Sequence, residues 1–175
     1  MDLLETYIIP FSNLEEGKHL FYFTAGEEFF EHFDFHNING GNIKINVSLE
    51  KLSSEMILDF IIKGRINTIC DLCLDDLALP IEINDRLFVK FSGLGKEQID
   101  ENLIIGIEET QINIIHNIYE IIELNLPIKK IHSADKQENK KCNIKMLNKI
   151  EEHSAIKEVK DSSDPRWEKL KDLEL

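Results

Sequence analysis

Several things are scarce in this chain of 175 residues. It has three cysteines, an odd number and far too few for a disulfide-dense fold, which fits a reducing compartment. No apolar run approaches the ~20 residues that a membrane-spanning helix needs. The first residues, Met1-Asp2-Leu3-Leu4-Glu5, have neither the basic start nor the apolar stretch of a secretion signal, so the expected location is the cytoplasm. Positive charge is short as well: 20 Lys and Arg stand against 33 Asp and Glu, a net charge of −13. That argues against broad, nonspecific nucleic-acid binding, which needs a basic surface. Internal repeats and low-complexity tracts are absent, as are P-loop, GxSxG, HExxH and EF-hand patterns; Ser92-Gly93-Leu94-Gly95-Lys96 lacks P-loop spacing.

What is present suits one globular domain. Hydrophobic residues make up 42%, dominated by isoleucine and ten Phe. The clearest pattern is alternation. Ile43, Ile45, Val47 and Leu49 share one phase, as do Met56, Leu58, Phe60 and Ile62, and then Leu79, Ile81, Ile83, Leu87, Val89 and Phe91. Period two with one wet face predicts strands of an antiparallel meander. Shorter strands are expected at 4–9, 19–24 and 103–107. Asn39-Gly40-Gly41-Asn42 reads as a turn and 92–102 as a loop. Phe29, Phe30 and Phe33 fall at helical spacing within 26–33, as core residues. Ile114, Ile118, Ile121 and Ile122 predict one main amphipathic helix over 113–125, stabilised by packing because isoleucine is a weak helix former.

The fold class expected is α+β: an antiparallel sheet curled toward a barrel, one main amphipathic helix and a partly ordered C-terminal tail. The domain spans 1–150, with one or two helical turns at 144–150. A linker follows at 151–163. A short helix at 164–175 opens on Asp164-Pro165, an acid at the N-cap and Pro at the first helical position.

Charge is uneven along the chain. Residues 1–128 hold 8 basic and 23 acidic residues, a net of −15, while 129–175 hold 12 and 10, a net of +2. Lys129, Lys130, Lys136, Lys140, Lys141, Lys145 and Lys149 form a basic strap that faces only Asp135 and Glu138. Such a strap is either a solvated segment or a local contact for an RNA backbone or an acidic partner. Arg166 and Trp167 join the strap as candidate partner-binding residues; Trp167 either anchors a partner, stacks on a base or folds back on the core.

Chemistry concentrates at Cys70-Asp71-Leu72-Cys73-Leu74, a CxxC at the end of the second long strand. A zinc site needs two more ligands, and His132 and Cys142, both after the long helix, complete a Cys3His set. The bland alternative is a pair of half-buried thiols with no metal. A thioredoxin-like redox pair ranks last, because that motif belongs at a helix start in a βαβ unit. The remaining histidines show no ligand spacing, and paired acids such as Asp75-Asp76 and Glu108-Glu109 read as solvated charges.

The order of these features resembles the YceD-like family, the large ribosomal RNA subunit accumulation proteins. The resemblance rests on Phe11-Ser12-Asn13-Leu14-Glu15-Glu16-Gly17, the CxxCL, the strand ending Phe88-Val89-Lys90-Phe91, Leu124-Asn125-Leu126-Pro127, and Asp164-Pro165-Arg166-Trp167-Glu168-Lys169-Leu170. Many members carry Arg where this chain has Leu72, and several cysteines after the helix where it has Cys142 alone. The resemblance implies a noncatalytic role in large-subunit assembly, with precursor rRNA or a basic ribosomal protein as partner and no membrane. Structural zinc is the cofactor that the residues suggest. The alternatives are a zinc- or thiol-dependent enzyme acting on RNA, and a chaperone of one basic ribosomal protein.

Overall fold

The alternating segments form three long strands, and the rest of the molecule is arranged on the face they bury. The computed structural model describes residues 3–33, 38–92, 97–99, 102–132 and 142–154. In chain order the elements are α1 (Leu3–Thr6), β1 (Ile8–Pro10), β2 (Gly17–Ala25), α2 (Glu27–His32), β3 (Ile38–Lys51), β4 (Glu55–Ile69), β5 (Asp76–Ser92), β6 (Glu97–Ile99), β7 (Asn102–Gly106), β8 (Gln111–Asn113), α3 (Ile115–Asn125) and α4 (Ile144–His153). The main sheet has six strands in the order β2-β3-β4-β5-β7-β6, and β1 pairs with β8 in a separate two-stranded sheet.

The meander β3-β4-β5 is antiparallel throughout, with Val47 opposite Phe60 and Ile62 opposite Ile83. Every second residue points into one core. Ile43, Ile45, Val47, Leu49, Met56, Leu58, Phe60, Ile62 and Ile66 have at most 1% of their surface exposed. Burying a side chain of this size stabilises a fold by about 1.5–3 kcal/mol before conformational entropy is subtracted. The core is closed by Phe29 and Phe30 of α2 and by Ile115, Ile118, Ile121 and Ile122 of α3. The two helices meet where Phe33 stacks on Tyr119, with ring centroids 4.7 Å apart, and sets its edge against His116 at 5.3 Å.

Five expectations are corrected. The sheet is open and does not close into a barrel: its edges, β2 and the three-residue β6, are not paired with each other. It is not wholly antiparallel, since β7 runs parallel to β5, with Val89 opposite Leu103. The stretch 4–9 is a single helical turn followed by a short strand. Asn39-Gly40-Gly41-Asn42 is no turn but lies within β3, beside a register shift between Ile38 and Gly40. The glycines there serve close approach: a Cβ on Gly41 would lie 2.8 Å from the Arg65 carbonyl oxygen and 2.9 Å from the Phe30 ring. Within the expected loop 92–102, Glu97–Ile99 forms β6.

The expected helical turns at 144–150 are present as α4, which continues to His153. Residues 155–175, which hold most of the expected linker and the expected closing helix, lie outside the described residues. No helix among the described residues is long and apolar enough to cross a membrane.

Candidate metal centre

The β4–β5 connection is a tight knuckle. The Leu74 amide donates to the Cys70 carbonyl at 2.9 Å, and the Cys70 amide donates to the Asp75 carbonyl at 2.9 Å. Leu74 takes φ 61°, the left-handed conformation that turns the chain back and leaves both thiols on the inside of the loop. Cys70 and Cys73 are buried, and with Leu77 they form a small second core lined by Leu72, Ile131, Cys142 and Met146.

The segment after α3 is brought to this knuckle by its backbone. The Asp71 amide donates to the Lys130 carbonyl at 2.7 Å, and the Lys130 amide donates to the Asp71 carboxylate at 2.5 Å. Two residues on, His132 turns its ring inward, 5% exposed. Its Nε2 lies 3.0 Å from the Asp76 carbonyl oxygen, an acceptor only, so Nε2 carries the hydrogen and Nδ1 is left with its lone pair. That lone pair faces the sulfurs, 3.4 Å from Cys73 Sγ and 3.7 Å from Cys142 Sγ. Cys142 Sγ in turn lies 3.8 Å from Cys70 Sγ.

All four donor atoms lie within 4.8 Å of one another. A tetrahedron built on zinc bonds of about 2.3 Å to sulfur and about 2.0 Å to nitrogen has edges of roughly 3.8 Å between sulfurs and roughly 3.5 Å from sulfur to nitrogen. The separations Cys73–His132, Cys142–His132 and Cys70–Cys142 match those edges. The donor chemistry fits as well, since thiolates with one imidazole are a zinc set. The thiols differ in acidity. Burial raises the Cys70 pKa, but hydrogen bonds to the sulfur from the backbone at Cys73, Leu72 and His132 outweigh it and hold the group near about 6. Burial, followed by the neighbouring sulfurs, pushes Cys142 up to about 11.

A model of the family described as "Large ribosomal RNA subunit accumulation protein YceD" matches residues 58–174. The chain belongs to the YceD family. The matched span takes in β4 from Leu58 onward, the knuckle, α3 and all four donors. The family's name points to a role in accumulation of the large-subunit ribosomal RNA. No curated protein and no solved structure matches the chain.

The other candidate residues are placed less fully. Lys129 and Lys130 lie between α3 and His132, Lys129 exposed and Lys130 half-buried. Lys145 and Lys149 are exposed on α4, whose first turn is capped by the Asn143 side chain accepting from the Lys145 amide at 3.0 Å. Lys136, Lys140, Lys141, Arg166 and Trp167 lie outside the described residues. Asp71 was not singled out from the sequence, and Asp76 was read there only as a solvated charge. Asp71 sits inside the CxxC, and an acceptor at that position is the one signal that pointed to it; Asp76 acts through its backbone, which carries no sequence signal.

Proposed function

We propose that this chain acts without catalysis in assembly of the large ribosomal subunit, as a scaffold whose closed Cys3His centre fixes the segment from Lys129 onward against the end of the sheet. The observation that carries this reading is the donor count. Four protein groups converge within 4.8 Å of one another, and a centre filled by four protein ligands has no position left for an activated water. Zinc bound by Cys70, Cys73, His132 and Cys142 would supply a cross-link between β4, the segment after α3 and the start of α4. The chain's own residues do the rest: Asp71 holds Lys130, Asp76 orients His132, and both ends of the basic strap leave from the centre. This arrangement supports a contact with precursor rRNA through the strap.

A dedicated chaperone of one basic ribosomal protein is the second reading, and one feature favours it. α2 and α3 carry Glu27, Glu28, Glu31, Glu120 and Glu123 and no Lys or Arg, so the helical layer presents negative charge. The test is depletion of the protein with measurement of mature large-subunit rRNA, followed by rescue with a variant carrying Lys136, Lys140, Lys141 and Lys145 changed to Glu. Loss of the rRNA on depletion, and failure of that variant to restore it or to associate with rRNA, are expected. Full rescue would remove the strap from the proposal, and selective capture of one basic ribosomal protein would move it to the helical layer.

A further inference from the structure

The cations of the acidic body are scattered in sequence but gathered in space. Residues 1–128 contain Lys18, Lys44, Lys51, Lys63, Arg65, Arg86, Lys90 and Lys96. Six of the eight, all but Lys51 and Lys96, occupy the solvent-facing positions of β2 to β5, where the register sets Lys44 opposite Lys63 and Arg86 opposite Asp59. Lys51 lies elsewhere, reaching the Phe11 and Leu14 carbonyls. Only five acids, Glu50, Glu55, Asp59, Asp76 and Glu82, share those outward positions of β2 to β5, against 23 acids in residues 1–128. Three of the five are each met by a cation of the same face, Glu50 by Lys18, Glu82 by Lys63 and Asp59 by Arg86. The outer sheet face therefore carries six cations against five acids, close to neutral on a body of net charge −15.

Its shape and chemistry say more. Tyr22 is 69% exposed and Leu20 63%, on the edge strand β2. Across from them on β3 stand the small polar residues Asn46 and Ser48, and beyond those on β4 Ile61, 41% exposed, and Asp59. The result is a shallow trough, roughly two strand spacings or 10 Å wide, floored by an amide and a hydroxyl and walled by an aromatic ring and an aliphatic side chain. At one end of it Lys44 and Lys63 are directly opposite each other; Glu82 pairs with Lys63, so Lys44 brings the positive charge there into excess.

We infer that the outer face of the sheet, centred on Tyr22, Lys44, Asn46 and Lys63, is a docking surface for single-stranded RNA. The inference rests on the reading that this chain works on ribosomal RNA and names a contact separate from the strap. Phosphates lie over the Lys44–Lys63 pair, one base stacks on the Tyr22 ring, and Asn46 offers a donor and an acceptor to a base edge. A protein partner fits less well, because the trough is shallow and its apolar walls are isolated from one another.

The experiment uses the full chain and an end-labelled oligouridylate of about 12 nucleotides, read by fluorescence anisotropy at low and moderate salt. Binding that weakens with salt is expected. Tyr22→Ala should weaken it about tenfold and Tyr22→Trp should restore it, as stacking requires. Lys44→Glu should weaken it by a similar factor while leaving the melting temperature unchanged or higher, because it turns a like-charged pair into an opposite one. Both sites are exposed, and melting curves check folding. No binding by the unaltered protein, or binding unaffected by both Tyr22→Ala and Lys44→Glu, overturns the inference. If the doubly altered chain still restores large-subunit rRNA in depleted cells, the sheet face fails while the assembly role stands; if depletion leaves that rRNA unchanged, it is the assembly role that fails.

Discussion

Asp71 and Lys130, 59 positions apart, exchange two hydrogen bonds: the Asp71 amide to the Lys130 carbonyl, and the Lys130 amide to the Asp71 carboxylate. This clamp holds the segment after α3 against the knuckle with no metal needed, and it places His132 two residues away from its anchor. Asp71→Ala removes one of the two bonds. The contact is exposed, so the expected cost to global stability is small, about 1 kcal/mol. The larger expected effect is kinetic: metal should pass to a competing chelator faster than from the unaltered protein. An unchanged transfer rate would mean that the donors hold the segment unaided.

Replacing Cys70 and Cys73 together with Ser leaves two of the four donors. The expected result is loss of about one zinc per chain by elemental analysis and a lower melting temperature, about 2–4 °C for each kcal/mol lost in a chain of this size. The damage should be local, because the main core at Val47, Leu58 and Ile118 does not touch the donors. Hydrogen exchange should therefore rise at Asp71, Lys130 and α4 while the β3–β4 ladder stays protected. A melting curve that does not move would sink the structural role of the metal.

Gly64 tests the sheet itself. Gly→Ala in a strand ordinarily stabilises by restricting the unfolded chain. Here the added Cβ would meet the Asn42 carbonyl oxygen and lie 2.7 Å from Ile43 Cα, both backbone atoms of the neighbouring strand. The sign reverses, and Gly64→Ala should destabilise by about 1–3 kcal/mol, read from denaturant unfolding. A gain in stability would show that β3 and β4 can separate there at little cost.

Much of this fold is legible in the residues, for identifiable reasons. β3, β4 and β5 alternate over 14, 15 and 17 residues, long enough for period two to be unambiguous. The isoleucines of α3 repeat at helical spacing against a single apolar face, and four thiol and imidazole groups have few other uses. What escaped prediction depends on pairing partners rather than on local pattern. The parallel β5–β7 ladder rests on the five-residue β7, whose composition does not state direction. Gly40 and Gly41 signal a turn in most contexts, and only the positive φ of 132° at Gly40 and the approach of Phe30 and Arg65 to Gly41 explain them within a strand. The lysine strap is a run along the chain and was visible as such, whereas the outer-face cations are spread over 73 positions and become a surface only once the register is known.

Lys51 shows the same dependence on context and allows a further test. Its ammonium converges on three carbonyl oxygens of one loop, at 2.9 Å from Phe11, 2.7 Å from Leu14 and 3.4 Å from Ser12. That loop carries the chain from β1 to β2 and holds Phe11 in contact with Phe91, ring centroids 5.7 Å apart. Lys51→Ala strips the shared donor from carbonyls that are partly buried, which should cost about 1–3 kcal/mol and raise hydrogen exchange across residues 11–16. Lys51→Arg should not restore the loss, because a planar guanidinium cannot point its donors at three oxygens converging on one centre. Full stability in Lys51→Ala would mean that water satisfies the three carbonyls as well as the ammonium does; rescue by Arg would mean that positive charge near the loop matters and the three-way geometry does not.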